Sequence, residues 1–263
     1  MHRTIVLLLL VTALLARPAG AGAAVLEADY VVRWSGIEVG RFTTELRRAA
    51  ERYHLAYRAR TSGPLRWLAG LESEGWAVGR LLDGGVRPEH FRGASSWRDG
   101  AGFWRVSFAA DGRATEVEVD AATRADREPV PEPLRRGPDP MSLMLAAMQR
   151  AAAGERSIAR SFDGRRAMRY ELACAAEPSP IRAVALGQAA REALACTVEA
   201  ELVAGRSARW SRDADQAPRE RQPVRLWLVS GLGGMPHWPV RLEAESRWGA
   251  VTVELERFDD PAG

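Results

Sequence analysis

The side chains able to do chemistry are few and scattered along this chain. Past the first two dozen residues it holds three histidines, His54, His90 and His237. None has a second ligand at i+2, i+3 or i+4, so they read as surface or hydrogen-bonded histidines and no metal is expected. Glu72 with Glu74, and Glu243 with Glu245, would each project to one side of a strand, where paired carboxylates could share acid-base work. Their alternation with arginine reads instead as a solvated face. There is no Gly-x-Ser-x-Gly elbow and no His-Glu-x-x-His, and Gly231-Leu232-Gly233-Gly234 runs into Met235 and Pro236 rather than into a helix that could hold a phosphate. The chain has no lysine at all, which removes Schiff-base and Ser-Lys chemistry. The expectation is a protein with no catalytic residues, no cofactor and no metal, hence no enzyme.

Cys174 and Cys196 are the two cysteines. Met168, Tyr170, Leu172 and Cys174 alternate with polar or small residues, as do Cys196, Val198, Ala200 and Leu202, which puts each cysteine on the core face of its own strand. If the two strands pair antiparallel, the cysteines meet and clamp the insert from Ala175 to Ala195. A disulfide is expected, and a redox-active pair is not, since there is no Cys-x-x-Cys.

Tryptophan is the unusual resource, with nine copies in 263 residues. Large indoles fill wide gaps in a β core, but on a curved sheet they also line apolar cavities. The candidate ligand-binding residues are Trp67, Leu68 and Leu71 as a lip between strands, then Trp76, Phe91, Trp97 and Trp104, and finally Met144 and Met148 from a helix. The methionines could equally be plain core.

The elements that must position these residues are mostly strands. Leu26, Ala28, Tyr30, Val32 and Trp34 alternate with polar residues, and so do Tyr53, Leu55, Tyr57 and Ala59. Near the other end Val240, Leu242, Ala244, Ser246 and Trp248 do the same, followed by Val251, Val253 and Leu255. Weaker alternation marks 37–46, 73–82, 91–97, 103–109, 115–119, 157–162 and 224–229. About a dozen antiparallel strands with one wet face suit a large curved sheet or an open or half β-barrel. Asp139 as N-cap and Pro140 at the first helical position start a covering helix from about Pro140 to Ala152, with Met141, Met144, Leu145 and Met148 on one face. Short extra helices are expected at Pro64 to about Gly70 and, from its alanine content, at Val184 to Ala195. The stretch from Arg124 to Pro138 reads as an exposed connection, and Ser211 to Gln222 as a loop.

Arg3, the apolar run from Ile5 to Leu15 and the small residues from Ala19 to Ala24 have the order of a secretory signal peptide, cut after Ala21 or Ala23. The run is too short for a permanent span of about 20 residues, so the expectation is a leader at 1–23, a single β-rich domain at 24–263, no transmembrane segment after cleavage, and a periplasmic or secreted protein. The formal charge of +3 loses Arg3 and Arg17 with the leader, leaving 35 arginines against 34 acids. Absence of both Lys and Asn is a codon effect of a GC-rich genome, and the arginines alternate with acids rather than forming a basic stripe, so no nucleic acid is expected.

Four sparse motifs, in order, resemble the bacterial envelope family of domain of unknown function 3108: Gly36-Ile37-Glu38-Val39-Gly40, Arg87-Pro88-Glu89-His90-Phe91, Asp139-Pro140-Met141-Ser142 and Pro239-Val240-Arg241-Leu242. The resemblance implies an exported protein on a large antiparallel sheet, similar in outline to the open barrels of lipoprotein-localisation factors. It implies no activity. Composition, strands and resemblance together favour a non-enzymatic binder of an apolar small molecule, lipid or envelope component. The competing reading is an envelope scaffold or assembly factor that works through a protein partner.

Overall fold

The computed structural model describes residues 24–63, 66, 70–98, 100–177, 192–207, 223–245 and 249–260. The leader expected at 1–23, Trp67, Leu68, Trp248, most of the helix expected at 64–70 and the loop expected at 211–222 lie outside them. Thirteen strands run in chain order: β1 (Ala24–Trp34), β2 (Ile37–Ala49), β3 (Arg52–Thr61), β4 (Glu72–Leu82), β5 (Gly85–Trp97), β6 (Gly100–Phe108), β7 (Ala114–Val119), β8 (Arg156–Phe162), β9 (Ala167–Ala176), β10 (Ala193–Ala204), β11 (Val224–Leu232), β12 (Met235–Ala244) and β13 (Val251–Asp259). Between β7 and β8 lie a short helix α1 (Ala121–Ala125), a 3-10 turn at Glu132–Leu134 and the main helix α2 (Pro140–Arg150).

All strands form one sheet in the order β7-β6-β5-β4-β3-β2-β1-β13-β12-β11-β10-β9-β8. Each strand pairs antiparallel with its chain neighbour except β7 with β8, and the first and last strands pair with each other, Val32 opposite Val253. The sheet therefore curls into an open antiparallel barrel whose two edges, β7 and β8, are the strands flanking the helical connection. Register shifts at Asp29/Tyr30 and Trp227/Leu228 mark bulges, which sharpen local twist and bend.

The alternation read from the sequence is the pleat. Leu26, Ala28, Tyr30, Tyr53, Leu55 and Ala77 are buried on one face, together with Phe91, Trp104 and Trp238. Two buried hydroxyl and indole groups satisfy each other across the seam: Trp238 Nε1 donates to Tyr30 Oη at 3.0 Å, and Tyr30 Oη donates to the Pro239 carbonyl at 2.9 Å. Trp104 lies on a glycine floor. A Cβ on Gly93 would sit 2.3 Å from the indole, and one on Gly75 would sit 2.6 Å from the Tyr57 ring.

The gap between β7 and β8 is patched by the connection that follows β7. Ala114 N–H donates to the Arg135 carbonyl at 2.9 Å, Gly137 N–H to the Gly112 carbonyl at 3.0 Å, and Phe162 N–H to the Pro138 carbonyl at 3.2 Å. Residues 135–138 thus lie between the two edges, which corrects the reading of 124–138 as a wholly exposed connection; unpaired edge groups need partners. A Cβ at Gly137, whose φ is +98°, would lie 2.5 Å from the Arg160 carbonyl, so the patch requires glycine there. The start of the same stretch, Arg124 and Ala125, closes the short helix α1, which Asp120 caps.

The β8–β9 turn also reaches across to β6. Asp163 accepts the backbone N–H groups of Arg165 and Arg166 at 2.8 and 2.7 Å, and its other oxygen takes Arg166 Nε at 3.0 Å. Burial pushes this carboxyl up, but Arg166 and Arg165 beside it, with the backbone donors, hold it below the usual range. Arg165 then stacks flat on Trp104, 3.2 Å from the ring centre.

A second correction concerns the alanine-rich segment expected to be helical up to Ala195. Its last three residues, Ala193 to Ala195, open strand β10. Alanine sets no periodicity of its own there, and pairing with β9 and β11 decides the backbone. Residues 184–191 lie outside the described chain. The penultimate strand also begins earlier than its alternation indicated, at Met235.

Candidate functional site

Helix α2 is anchored at its start by a buried polar triad. Asp139 Oδ1 accepts from Met141 and Ser142 N–H at 3.0 and 2.9 Å, filling the N-cap role. Ser142 Oγ donates to Asp139 Oδ2 at 2.5 Å, and Tyr53 Oη, from β3, lies 2.7 Å from Ser142 Oγ. Asp139 and Ser142 are fully buried. Burial pushes the Asp139 carboxyl up to about 6, against the pull of the Ser142 hydroxyl and the backbone donors. The native state therefore holds this proton more tightly than the unfolded chain does. Stability is highest where the group is protonated in both states and falls as pH rises from about 4 to about 6. Asp139→Asn keeps a capping side chain, so the variant is expected to lose this slope. The check is urea midpoints for both proteins across that window, where the wild type should weaken by on the order of 2–3 kcal/mol relative to the variant.

The helix turns two sides to the sheet. Leu145 and Met148 are buried in the main core, in the cluster that contains Tyr53, Phe91 and Trp238. The other side, with Leu143, Met144 and Ala147, faces β8 to β11 across an unfilled space of about 340 Å³. The opposite wall is Tyr170, Leu172 and Cys174 of β9, Val198 of β10 and Leu226 of β11. Beneath it lies a small separate core of Ala151, Cys174, Cys196, Leu226 and Leu228. The disulfide joins Cys174 to Cys196 where they sit directly opposite in the β9–β10 register, as the two alternating patterns require. At the mouth stand Met144, 36 % exposed, and Ile158, 62 % exposed. The charged groups in the wall are Arg150 and Glu155.

A larger hollow of about 640 Å³ lies over β3 to β6, lined by Arg58, Arg60, Glu72 and Glu74 with Ser73, Ser95 and Asp120. Arg58 and Glu74 pair across it at 3.7 Å, and Asp120 is occupied in capping α1 and in accepting from Phe103 N–H at 2.8 Å. With two arginines and three carboxylates in its lining, it suits an apolar ligand less well than the first cavity does. Among the described residues no cluster of three metal-ligating side chains occurs.

Of the candidate ligand-binding residues among those described, the structure brings Met144 into the apolar cavity. Met148, Phe91 and Trp104 are buried in the core. Trp76 lies on the outer face, since its neighbour Ala77 is buried, and its ring is 6.3 Å from His54. Trp97 ends β5 and is 58 % exposed. Leu71 follows the β3–β4 loop, its carbonyl accepting from Thr61 N–H at 2.9 Å. Trp67 and Leu68 are outside the described residues. The wall residues missed were Leu143, Ala147, Tyr170, Leu172, Val198 and Leu226. Three of them stand on the alternating faces that located the disulfide.

An open antiparallel barrel with a helix set against its inner face, bounding an apolar cavity, is the class these observations define. The family model "Protein of unknown function (DUF3108)" matches residues 29–256, and the chain belongs to that family. Its fold is similar to the crystal structure of a beta-barrel-like protein of domain of unknown function DUF1849 from Brucella abortus. The two are 13% identical, with a TM-score of 0.56, over 91% of this chain and 99% of the other. Comparison with curated proteins gave no match.

Proposed function

We propose that this protein is an exported, non-enzymatic binder of an apolar ligand, such as a lipid or a lipid-bearing envelope component, working in the periplasm or outside the cell. The observation that carries the reading is the cavity of about 340 Å³ between α2 and the β8–β11 wall, which falls within the usual size of ligand pockets, about 300–1,000 Å³. The leader-like order of residues 1–23 and the disulfide support an oxidising compartment. No helix among the described residues is long and apolar enough to cross a membrane.

The test is native mass spectrometry of full-length protein exported with its own leader and purified oxidised. A reproducible bound mass is expected, lost in Val198→Trp, which fills the cavity, and retained in Trp97→Ala, which changes an exposed strand end. A clean apo mass in the wild type would sink the reading. That result would favour the scaffold alternative, for which the motive is β8, an edge strand carrying exposed Ile158; crosslinking in the intact envelope would then identify the partner.

A further inference from the structure

We infer that the ligand of this cavity is a phospholipid with a zwitterionic head, one acyl chain in the cavity, its phosphate on Arg150 and its ammonium on Glu155; the inference rests on the apolar-ligand reading above. Arg150 is the last residue of α2 and Glu155 immediately precedes β8, so both stand at the same end of the cavity, and both are part of its wall. They are exposed, and they are not paired with each other or with any other charged group among the described residues. Arg33, Arg41 and Arg52, by contrast, each hold a glutamate at 2.5 to 2.7 Å.

What keeps the two charges apart is built into the backbone. The Arg150 guanidinium rests on the β4–β5 turn, where a Cβ at Gly85 would lie 2.8 Å from Nη2 and one at Gly84 3.8 Å from Nε. Glycine at position 85 leaves the space that the guanidinium occupies. Glu155 is pinned on the other side: Cys174 N–H donates to its carbonyl at 3.2 Å, and Gly154 N–H donates to the Cys174 carbonyl at 2.8 Å. A cation near a helix C-terminus has a dipole explanation of its own. That explanation does not account for an unneutralised carboxylate in the same cavity wall.

One guanidinium and one carboxylate in the wall of an apolar hollow match a head that carries a phosphate and a primary ammonium joined by a two-carbon link. Arg150 offers charge-assisted N–H donors to phosphate oxygens, and Glu155 accepts from an ammonium. The cavity, near the lower end of ligand-pocket sizes, has room for one chain. A purely anionic lipid would set its charge against Glu155, and an uncharged lipid would use neither group.

The experiment titrates the oxidised full-length protein with three single-chain probes of equal acyl length: lysophosphatidylethanolamine, lysophosphatidic acid and monoacylglycerol. The zwitterion is expected to bind roughly tenfold tighter than the monoacylglycerol. Arg150→Gln should weaken both phosphate lipids, Glu155→Gln should weaken the zwitterion while strengthening the lysophosphatidic acid, and neither should change monoacylglycerol binding. Both residues are exposed, so unchanged monoacylglycerol binding also shows that the variants fold. If all three probes bind the wild type equally, the head-group inference is overturned while the apolar-ligand reading stands. If the two phosphate lipids bind equally and Glu155→Gln changes neither, the zwitterion is overturned in favour of an anionic head on Arg150. If no probe binds, the apolar-ligand reading itself fails.

Discussion

Replacing both Cys174 and Cys196 by serine is expected to lower the unfolding free energy by about 3 kcal/mol, the chain-entropy value for a closed loop of this size. The bridge spans 22 positions in sequence, and within that interval lie the end of β9 and the start of β10. Breaking it frees the insert in the unfolded chain, and in the native state it places two hydroxyls in the small core with Ala151, Leu226 and Leu228. Because Cys174 belongs to the cavity wall, ligand affinity should fall with stability. Urea unfolding of the variant, and of wild type with and without reductant, measures the effect. Equal midpoints in oxidised and reduced wild type would remove the bridge from the stability account.

Trp104→Ala is expected to cost about 3–5 kcal/mol, the range for deleting a buried aromatic. The indole fills the groove above Gly93 and carries the buried Arg165 guanidinium on its face. Removing it opens a void and takes the ring face from a cation that already sits low, near 10, because burial disfavours its charge, leaving Asp163 as its partner. Trp104→Phe should cost less, on the order of 2 kcal/mol, since the phenyl ring keeps part of the filling and the indole Nε1, buried without a hydrogen-bond partner, gives up no bond. Thermal and urea unfolding of the two variants side by side decide the point. If phenylalanine were as damaging as alanine, the contribution would lie in the indole's shape or nitrogen rather than in the filled groove.

Most of the barrel was legible in the sequence because pleat parity is written in period two. Tyr53, Leu55 and Tyr57 announced their face, and Met168 to Cys174 with Cys196 to Leu202 announced even the register that brings the cysteines together. Parity failed for β4, where Gly75 and Gly79 stand on the inner face and leave Trp76 as the conspicuous large residue; prominence in the sequence pointed inward, while the pleat points outward. The patch at 135–138 was illegible for another reason. Its pairing is with two edges set by distant strands, and nothing local records them. The cavity was harder still. A sequence shows which faces are apolar, but an unfilled volume is a mismatch between two faces, here Leu143, Met144 and Ala147 against Leu172, Val198 and Leu226, and depends on how closely the helix is held. The triad of Asp139, Ser142 and Tyr53 ties the helix start to β3, and only its N-cap could be read in advance.

The pairing of first strand with last gives the molecule the build of a book. Strands β7 to β1 form one leaf and β13 to β8 the other, and the β1–β13 ladder is the spine. The fore-edge, between β7 and β8, is fastened by a handful of backbone hydrogen bonds from Ala114, Gly137 and Phe162 and by the Arg165 stack. Opening anywhere else would break a whole ladder, whereas the fore-edge has no ladder of its own and is held by these fastenings, by the Glu128 N–H on the Arg206 carbonyl, and by the core and helix α2 packed against both leaves. The cavity wall includes Ile158 and Ala159 of β8, so the one line of the sheet that closes without a ladder runs along the margin of the hollow.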